Sequence, residues 1–365
     1  MKIISLKKMK KITIVILIPI LFFACTRVPE KNPVQNIILL IGDGMGIAQI
    51  YAGMTANHGH LSLERCTSVG LHKTYSANRF ITDSGAGATA FACGVKTKNG
   101  SIAVDTSGLP VKSILEYAED NGLSTGLVST SSITHPTPAC FIAHQVDRGD
   151  YEAIAADFLK TEIEIFIGGG KNHFSMREDS LNLLDSLESR GYQVVNDIKD
   201  IDYEHERIAC LTADIHNPSI LDGRGDMLPD ATVASIRFLD NKKTGFFLMV
   251  EGSQIDWAAY DTSTEGVITE MLDFDRAVKT AIDFAEKNGN TLVILTGDHE
   301  TGGMSITGGD FSTGTVNAVF GKKGHTAVMV PVFAFGPKAE NFTGIYENSD
   351  IFQKMMKAFG FKPEK

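Results

Sequence analysis

Short apolar runs, each closed by glycine and a polar or charged side chain, recur along this chain. Residues 36–41 read Asn-Ile-Ile-Leu-Leu-Ile and lead into Gly42-Asp43-Gly44-Met45-Gly46. Residues 246–250 read Phe-Phe-Leu-Met-Val and lead into Glu251-Gly252-Ser253-Gln254-Ile255-Asp256. Residues 291–296 lead into Gly297-Asp298-His299-Glu300-Thr301-Gly302-Gly303, and Gly324-His325-Thr326 precedes a further apolar run over 327–335. Unbroken apolar runs of this length suit strands buried on both faces. Residues 124–129 and 163–170 are predicted as further strands. Helical spacing is found over 111–120, closing on Asn121-Gly122, and over 273–287, closing on Asn288-Gly289; glycine just past the last turn is a helix stop. The alternation predicts an α/β fold with a mostly parallel central sheet and helices on both faces.

The segment Thr82-Asp83-Ser84-Gly85-Ala86-Gly87-Ala88 places a serine before small, helix-compatible residues. At a helix start, free backbone N–H groups and the helix dipole favour an anionic nucleophile and an anionic substrate. Serine is a weak nucleophile at neutral pH and needs an activator. Thr82 and Ala86 stand where a nucleophile elbow would have glycine, so the serine–histidine hydrolase pattern is absent. The other activator is a metal ion, which lowers the pKa of a coordinated oxygen.

Candidate ligands lie at the ends of the predicted strands, where open α/β sheets gather functional residues. Taken singly, each has a plainer reading. Asp43 in Gly-Asp-Gly is a turn residue, Asp298-His299 a helix cap with a packed histidine, and His325 a structural histidine. Their joint recurrence with the Thr-Asp-Ser segment is not explained by any one of these. Carboxylate with imidazole suits zinc, and an oxygen-rich set suits magnesium.

In these segments, and in Thr134-His135-Pro136-Thr137-Pro138-Ala139, the chain resembles the alkaline phosphatases, metal-dependent phosphomonoesterases. The matching segments span residues 36–335. The resemblance implies that Ser84 attacks phosphorus and carries a phosphoseryl intermediate. It implies one zinc on Asp43, Asp298 and His299, a second zinc site drawing on Asp256 and His325, and magnesium on Asp43, Thr137 and Glu251. Arg148 falls where the family keeps a phosphate-clamping arginine, whose fork matches two phosphate oxygens; without the resemblance it reads as a solvated charge. His135 and Trp257 stand at positions that vary within the family. His135 is assigned to the magnesium site and phosphate pocket, and Trp257 to lining that pocket or to packing.

One position departs from the family pattern. A zinc-binding histidine is expected four residues after Asp256, and Tyr260 stands there. Phenolate is a less usual zinc ligand than imidazole. Three outcomes stay open: Tyr260 or its neighbour Asp261 completes the site, the site holds metal weakly, or it is empty. A phosphate-binding pseudoenzyme or impaired phosphatase is therefore one alternative function, and a phosphodiesterase on the same scaffold is another. A related sulfatase is disfavoured because Gly85-Ala86-Gly87-Ala88 follows Ser84 in place of the sulfatase motif.

Lys7, Lys8, Lys10 and Lys11 precede an apolar stretch over 12–24 that ends at Cys25, the form of a secretory signal. Residues 1–25 are expected to be that signal, 26–35 a tether, and 36–365 a single catalytic domain. Cys25 in Leu21-Phe22-Phe23-Ala24-Cys25 is read as a lipoprotein cleavage site, which predicts an exported, periplasmic, membrane-anchored protein; a plain cleaved signal or an uncleaved anchor are the alternatives. The net charge of −10 argues against nucleic-acid partners. The expected substrates are small phosphate monoesters of broad structure. Cys66, Cys93, Cys140 and Cys210 allow two disulfides or buried thiols. The 21 residues 304–324 are few for the cap that family members often carry, so short cap insertions and an open pocket are expected. Homodimerisation is a habit of the family.

Overall fold

The computed structural model describes residues 34–362. The signal segment, Cys25 and most of the tether lie outside the described residues. Along the chain run β1 (Asn36–Gly42), α1 (Ile47–Ala56), β2 (Ser68–Lys73), α2 (Ser84–Cys93), α3 (Ile114–Asp120), β3 (Ser124–Ser132), α4 (Pro136–Ala139) and α5 (Tyr151–Asp157). Then follow β4 (Ile165–Gly169), α6 (Lys171–Ser175), α7 (Leu183–Ser189), β5 (Tyr192–Val195), β6 (Arg207–Ala213), α8 (Met227–Lys242), β7 (Phe246–Gly252), α9 (Gln254–Tyr260) and α10 (Thr264–Asn288). The chain closes with β8 (Thr291–Thr296), β9 (Glu300–Thr301), β10 (Met304–Asp310), β11 (Thr315–Phe320), β12 (His325–Thr326), β13 (Val330–Phe335), β14 (Gly344–Glu347) and α11 (Asp350–Phe359).

Ten strands form one sheet in the order β14-β2-β13-β8-β1-β7-β3-β4-β6-β5. All pairs are parallel except those of β13, which runs against β2 and β8. The apolar runs are unbroken because both faces are covered. On β1, Ile37, Leu39 and Ile41 enter the core beneath α2, α3 and α11, while Ile38 and Leu40 enter the opposite core with α8 and α10. Successive side chains point to opposite faces of a strand, so each residue of the run has a core to fill.

Register then sets the site. Ile41 pairs with Glu251 on β7 and with Thr296 on β8, and Ser129 on β3 also pairs with Glu251. The carboxyl ends of four adjacent strands are thereby level. A small hairpin, β10–β11, occupies much of the short 304–324 segment and packs on α1.

Several predicted boundaries move. The helix expected from residue 111 begins at Ile114, because Ser113 caps it reciprocally with Glu116 and the Val111 N–H is committed to the Ala103 carbonyl. The helix expected from 273 begins at Thr264, behind the Ser263 cap. Val267, Met271, Phe274 and Val278 continue one buried stripe through both halves, as helical spacing requires. The strand expected over 124–129 extends to Ser132, and that over 163–170 shortens to 165–169. Of the two cysteine readings, the structure has the thiols: Cys66, Cys93, Cys140 and Cys210 are free. Burial pushes the Cys140 and Cys210 thiols up to about 12, far from the thiolate that disulfide chemistry uses.

Candidate active site

Ser84 is the first residue of α2, and Asp83 is its N-cap. Asp83 Oδ1 accepts the Ala86 N–H at 3.0 Å, and Oδ2 accepts the Gly100 N–H at 2.9 Å and an Arg148 guanidinium N–H at 2.8 Å. The small residues after Ser84 are a packing requirement. A Cβ on Gly87 would lie 3.1 Å from the Asp298 Cβ, and one on Gly85 would lie 2.9 Å from the Ser101 carbonyl oxygen. The helix start is wedged against the β8 loop, which brings Ser84 Oγ to 3.4 Å from His299 Nε2.

His299 Nε2 is also 3.4 Å from Asp43 Oδ1 and 3.3 Å from Asp298 Oδ2. Asp298 Oδ1 accepts the Gly44 and His299 N–H groups at 3.1 and 2.9 Å. Gly44 can offer its N–H there because φ is +74°, and a Cβ would meet the Asp256 Cα at 2.8 Å. Burial, with Asp298, Asp256 and Glu251 nearby, raises the Asp43 carboxyl well above the usual range. Burial, with His325 beside it, lowers His299 to about 3, so the imidazole is neutral and able to ligate.

Glu251 is fully buried at the end of β7 and accepts from Ser129 Oγ at 2.6 Å. Burial lifts its carboxyl to about 7, opposed by Ser129, Ser253 and Thr137. His135 follows β3, with its ring edge-on to His216 at 5.8 Å and to Trp257 at 5.9 Å. Burial, then Arg148 and His216, lowers its pKa well below the usual histidine value. His325 stacks on His299 with centroids 3.6 Å apart, and its Nε2 is 3.6 Å from Asp256 Oδ1.

Three groups of side chains converge to within 4.8 Å: Asp43–Asp298–His299, Asp43–His135–Glu251 and Asp256–His299–His325. Among the described residues, both Asp43 carboxylate oxygens, Asp298 Oδ2, Glu251 Oε1, Thr137 Oγ1 and His135 Nδ1 are buried without a hydrogen-bond partner. Buried acceptors are ordinarily satisfied, and cations are the partners that a crowd of carboxylates and neutral imidazoles fits. Residues 34–320 match the family model for alkaline phosphatases.

The chain belongs to the alkaline phosphatase family.

It is 33% identical to alkaline phosphatase 3 of Bacillus subtilis, over 91% of this chain and 90% of that one. It is 30% identical to the alkaline phosphatase of Escherichia coli, over 91% and 88%. Among solved structures, the alkaline phosphatase of the Antarctic bacterium TAB5 superposes with a TM-score of 0.87 at 41% identity, covering 91% of this chain and 99% of that one. These relatives are enzymes that hydrolyse phosphate monoesters, and the family uses metal ions.

The sequence-derived acids and histidines of this alkaline phosphatase fold therefore meet in one place, and Asp261 stands outside it. Tyr260 ends α9 with 48% of its surface exposed, and its ring lies beside Gly324. Asp261 is exposed and lines a cavity with Leu221, Ser263 and Glu270, outside the three converging groups. Sequence reasoning also missed Thr301, which donates from Oγ1 to Asp256 Oδ1 and lies 3.2 Å from His299 Nδ1. Nothing local marks that threonine. Asp83, as the partner of Arg148, was half visible, since Asp directly before a helix is a cap signal.

Proposed function

We propose that this chain hydrolyses phosphate monoesters through Ser84, at a centre that takes zinc in the Asp43–Asp298–His299 group, a second zinc-type ion at Asp256–His325, and magnesium at Asp43–Glu251 with Thr137 and His135 beside it. The observation that carries the reading is Ser84 Oγ at 3.4 Å from His299 Nε2, within the cluster of buried, unpartnered Asp43 and Asp298 oxygens. The TAB5 enzyme is a supporting relative: a variant of it with one histidine replaced by aspartate carries magnesium in a site termed M3.

Ser84 attacks phosphorus, an Oγ–P bond forms, and the ester P–O bond breaks as the alcohol leaves. Water then cleaves the Oγ–P bond and releases phosphate. Bound metal ions supply the positive charge that lowers the serine pKa and stabilises the attacking and leaving oxygens. Arg148, whose Nη1 donates to Asp83 Oδ2, has further guanidinium N–H groups to offer the phosphoryl oxygens. The α2 N-terminus adds partial positive charge behind Ser84. Nothing in this set reads the alcohol, so broad ester specificity is the expectation. Trp257, edge-on to His135 and His216, supports the position of His135 beside the pocket. Export and lipidation at Cys25 belong to the same proposal and rest on the basic and apolar pattern of residues 1–25.

Turnover of p-nitrophenyl phosphate by the metal-reconstituted protein, native against Ser84→Ala, tests the reading. Native protein should turn over and should leave phosphate covalently on Ser84 when quenched in acid. Equal turnover by both proteins would remove Ser84 from the chemistry. Faster cleavage of a bis-ester than of the matching mono-ester would favour the diesterase alternative.

A further inference from the structure

Asp256 and His325 form the sparsest of the three converging groups. The third residue of that group is His299, which also belongs to the Asp43–Asp298–His299 group. His299 Nε2 lies 3.4 Å from Asp43 Oδ1, 3.3 Å from Asp298 Oδ2 and 3.4 Å from Ser84 Oγ. One ring nitrogen binds one ion, and the other nitrogen of His299 faces Thr301. His325 Nδ1 faces the Thr82 carbonyl oxygen at 2.9 Å; it carries the proton and donates, which leaves Nε2 free to ligate. Asp256 Oδ1 already accepts from Thr301. The site thus has one imidazole and one carboxylate of its own, whereas catalytic zinc sites hold the ion by three protein ligands. Tyr260, where a third ligand would come from, is half exposed, lies against Gly324 and makes no hydrogen bond through its hydroxyl among the described residues.

We propose that this chain holds its two zinc-type ions with unequal strength: tightly at Asp43–Asp298–His299, and weakly at Asp256–His325, where phosphate oxygens complete the coordination. The inference rests on the phosphatase reading and deepens it. Phosphate supplies oxygen ligands in place of the missing side chain, so ion and phosphate assist each other. Linkage makes the assistance reciprocal: the factor by which the ion tightens phosphate is the factor by which phosphate tightens the ion.

The test is calorimetric titration of full-length, chelator-stripped protein with zinc chloride, in saturating magnesium, without and with inorganic phosphate. The expected result is one tight step and a second step at least about tenfold weaker. Phosphate tightens the second step by a similar factor, and His325→Ala removes it. Tyr260→His brings the second step up to the first without phosphate, and Tyr260→Phe keeps the native pattern. Circular dichroism of each variant checks that the fold is intact. Two equally tight steps in native protein without phosphate overturn the proposal while leaving the phosphatase reading in place. Loss of the second step in Tyr260→Phe also overturns it, by making the phenol a ligand. Absence of any tight step overturns this inference and the reading beneath it together.

Discussion

The Arg148 guanidinium donates to Asp83 Oδ2 at 2.8 Å, and the other oxygen of the same carboxylate caps the helix that begins at Ser84. One side chain therefore aims the proposed phosphate clamp and seats the proposed nucleophile.

Asp83→Ala should separate these roles from simple packing. Arg148 loses its anchor, so KM for p-nitrophenyl phosphate should rise and kcat/KM should fall by about tenfold or more, equivalent to ~1.4 kcal/mol. Loss of the cap should cost about 1 kcal/mol of stability, read as a lower melting temperature. Asp83→Asn keeps an acceptor for the Ala86 N–H and should recover the stability while only partly recovering KM.

Thr301 bridges Asp256 and His299 through one hydroxyl. Thr301→Val preserves shape and removes the bridge. Partners that orient metal ligands are worth about 10–100-fold in metal affinity, so bound metal should be stripped by a chelator at correspondingly lower concentration. Thr301→Ser should behave as native. A valine variant with unchanged metal retention would leave the hydroxyl without a role in the site.

Glu119 lies in the last turn of α3, and its carboxyl accepts from Thr125 Oγ1 and the Glu162 N–H. Burial pushes it up to about 7 from an ordinary value of 4.5, with Glu164 adding to the push. A folded-state pKa raised above the unfolded one means the neutral acid is favoured in the fold. Its contribution is complete below pH 4.5 and is lost as pH rises toward 7. Glu119→Gln mimics the neutral acid. It should match native stability near pH 4.5 and exceed it at pH 8, measured as melting temperature at the two pH values.

Arg224 lies in the loop that carries His216, and its guanidinium binds Glu270 and Asp273 of α10, all three buried. Removing one partner of a buried charge set strands the others, at about 3–5 kcal/mol. Arg224→Met should therefore lower stability by roughly that amount in urea unfolding. Arg224→Lys should rescue little, because an ammonium cannot serve both carboxylates as the fork does. Activity should fall as well if the loop holds His216 against His135, their rings being 5.8 Å apart.

Strands β1, β3, β4, β7 and β8 and the polar residues at their ends were legible in the sequence, and the family resemblance suggested roles for those residues; β2, β5, β6 and β14 were not read from it. Unbroken apolar runs ending in Asp43, Glu251 and Asp298 suit strands covered on both faces, and polar groups at the tips of parallel strands gather at the carboxyl edge. The local signal of a cap or glycine stop was equally legible at Asn288-Gly289. What it left open was decided by contacts between residues far apart in the chain. The start of α10 at Thr264 depended on the core that Val267 and Met271 fill. The Thr301 bridge to Asp256 spans 45 positions and the Arg148–Asp83 pair spans 65. The half-exposed position of Tyr260 followed from how α9 meets the loop at Gly324. Periodicity reports which side of an element is buried; which distant side chains then share that burial is set by packing and strand register, and no local pattern carries it.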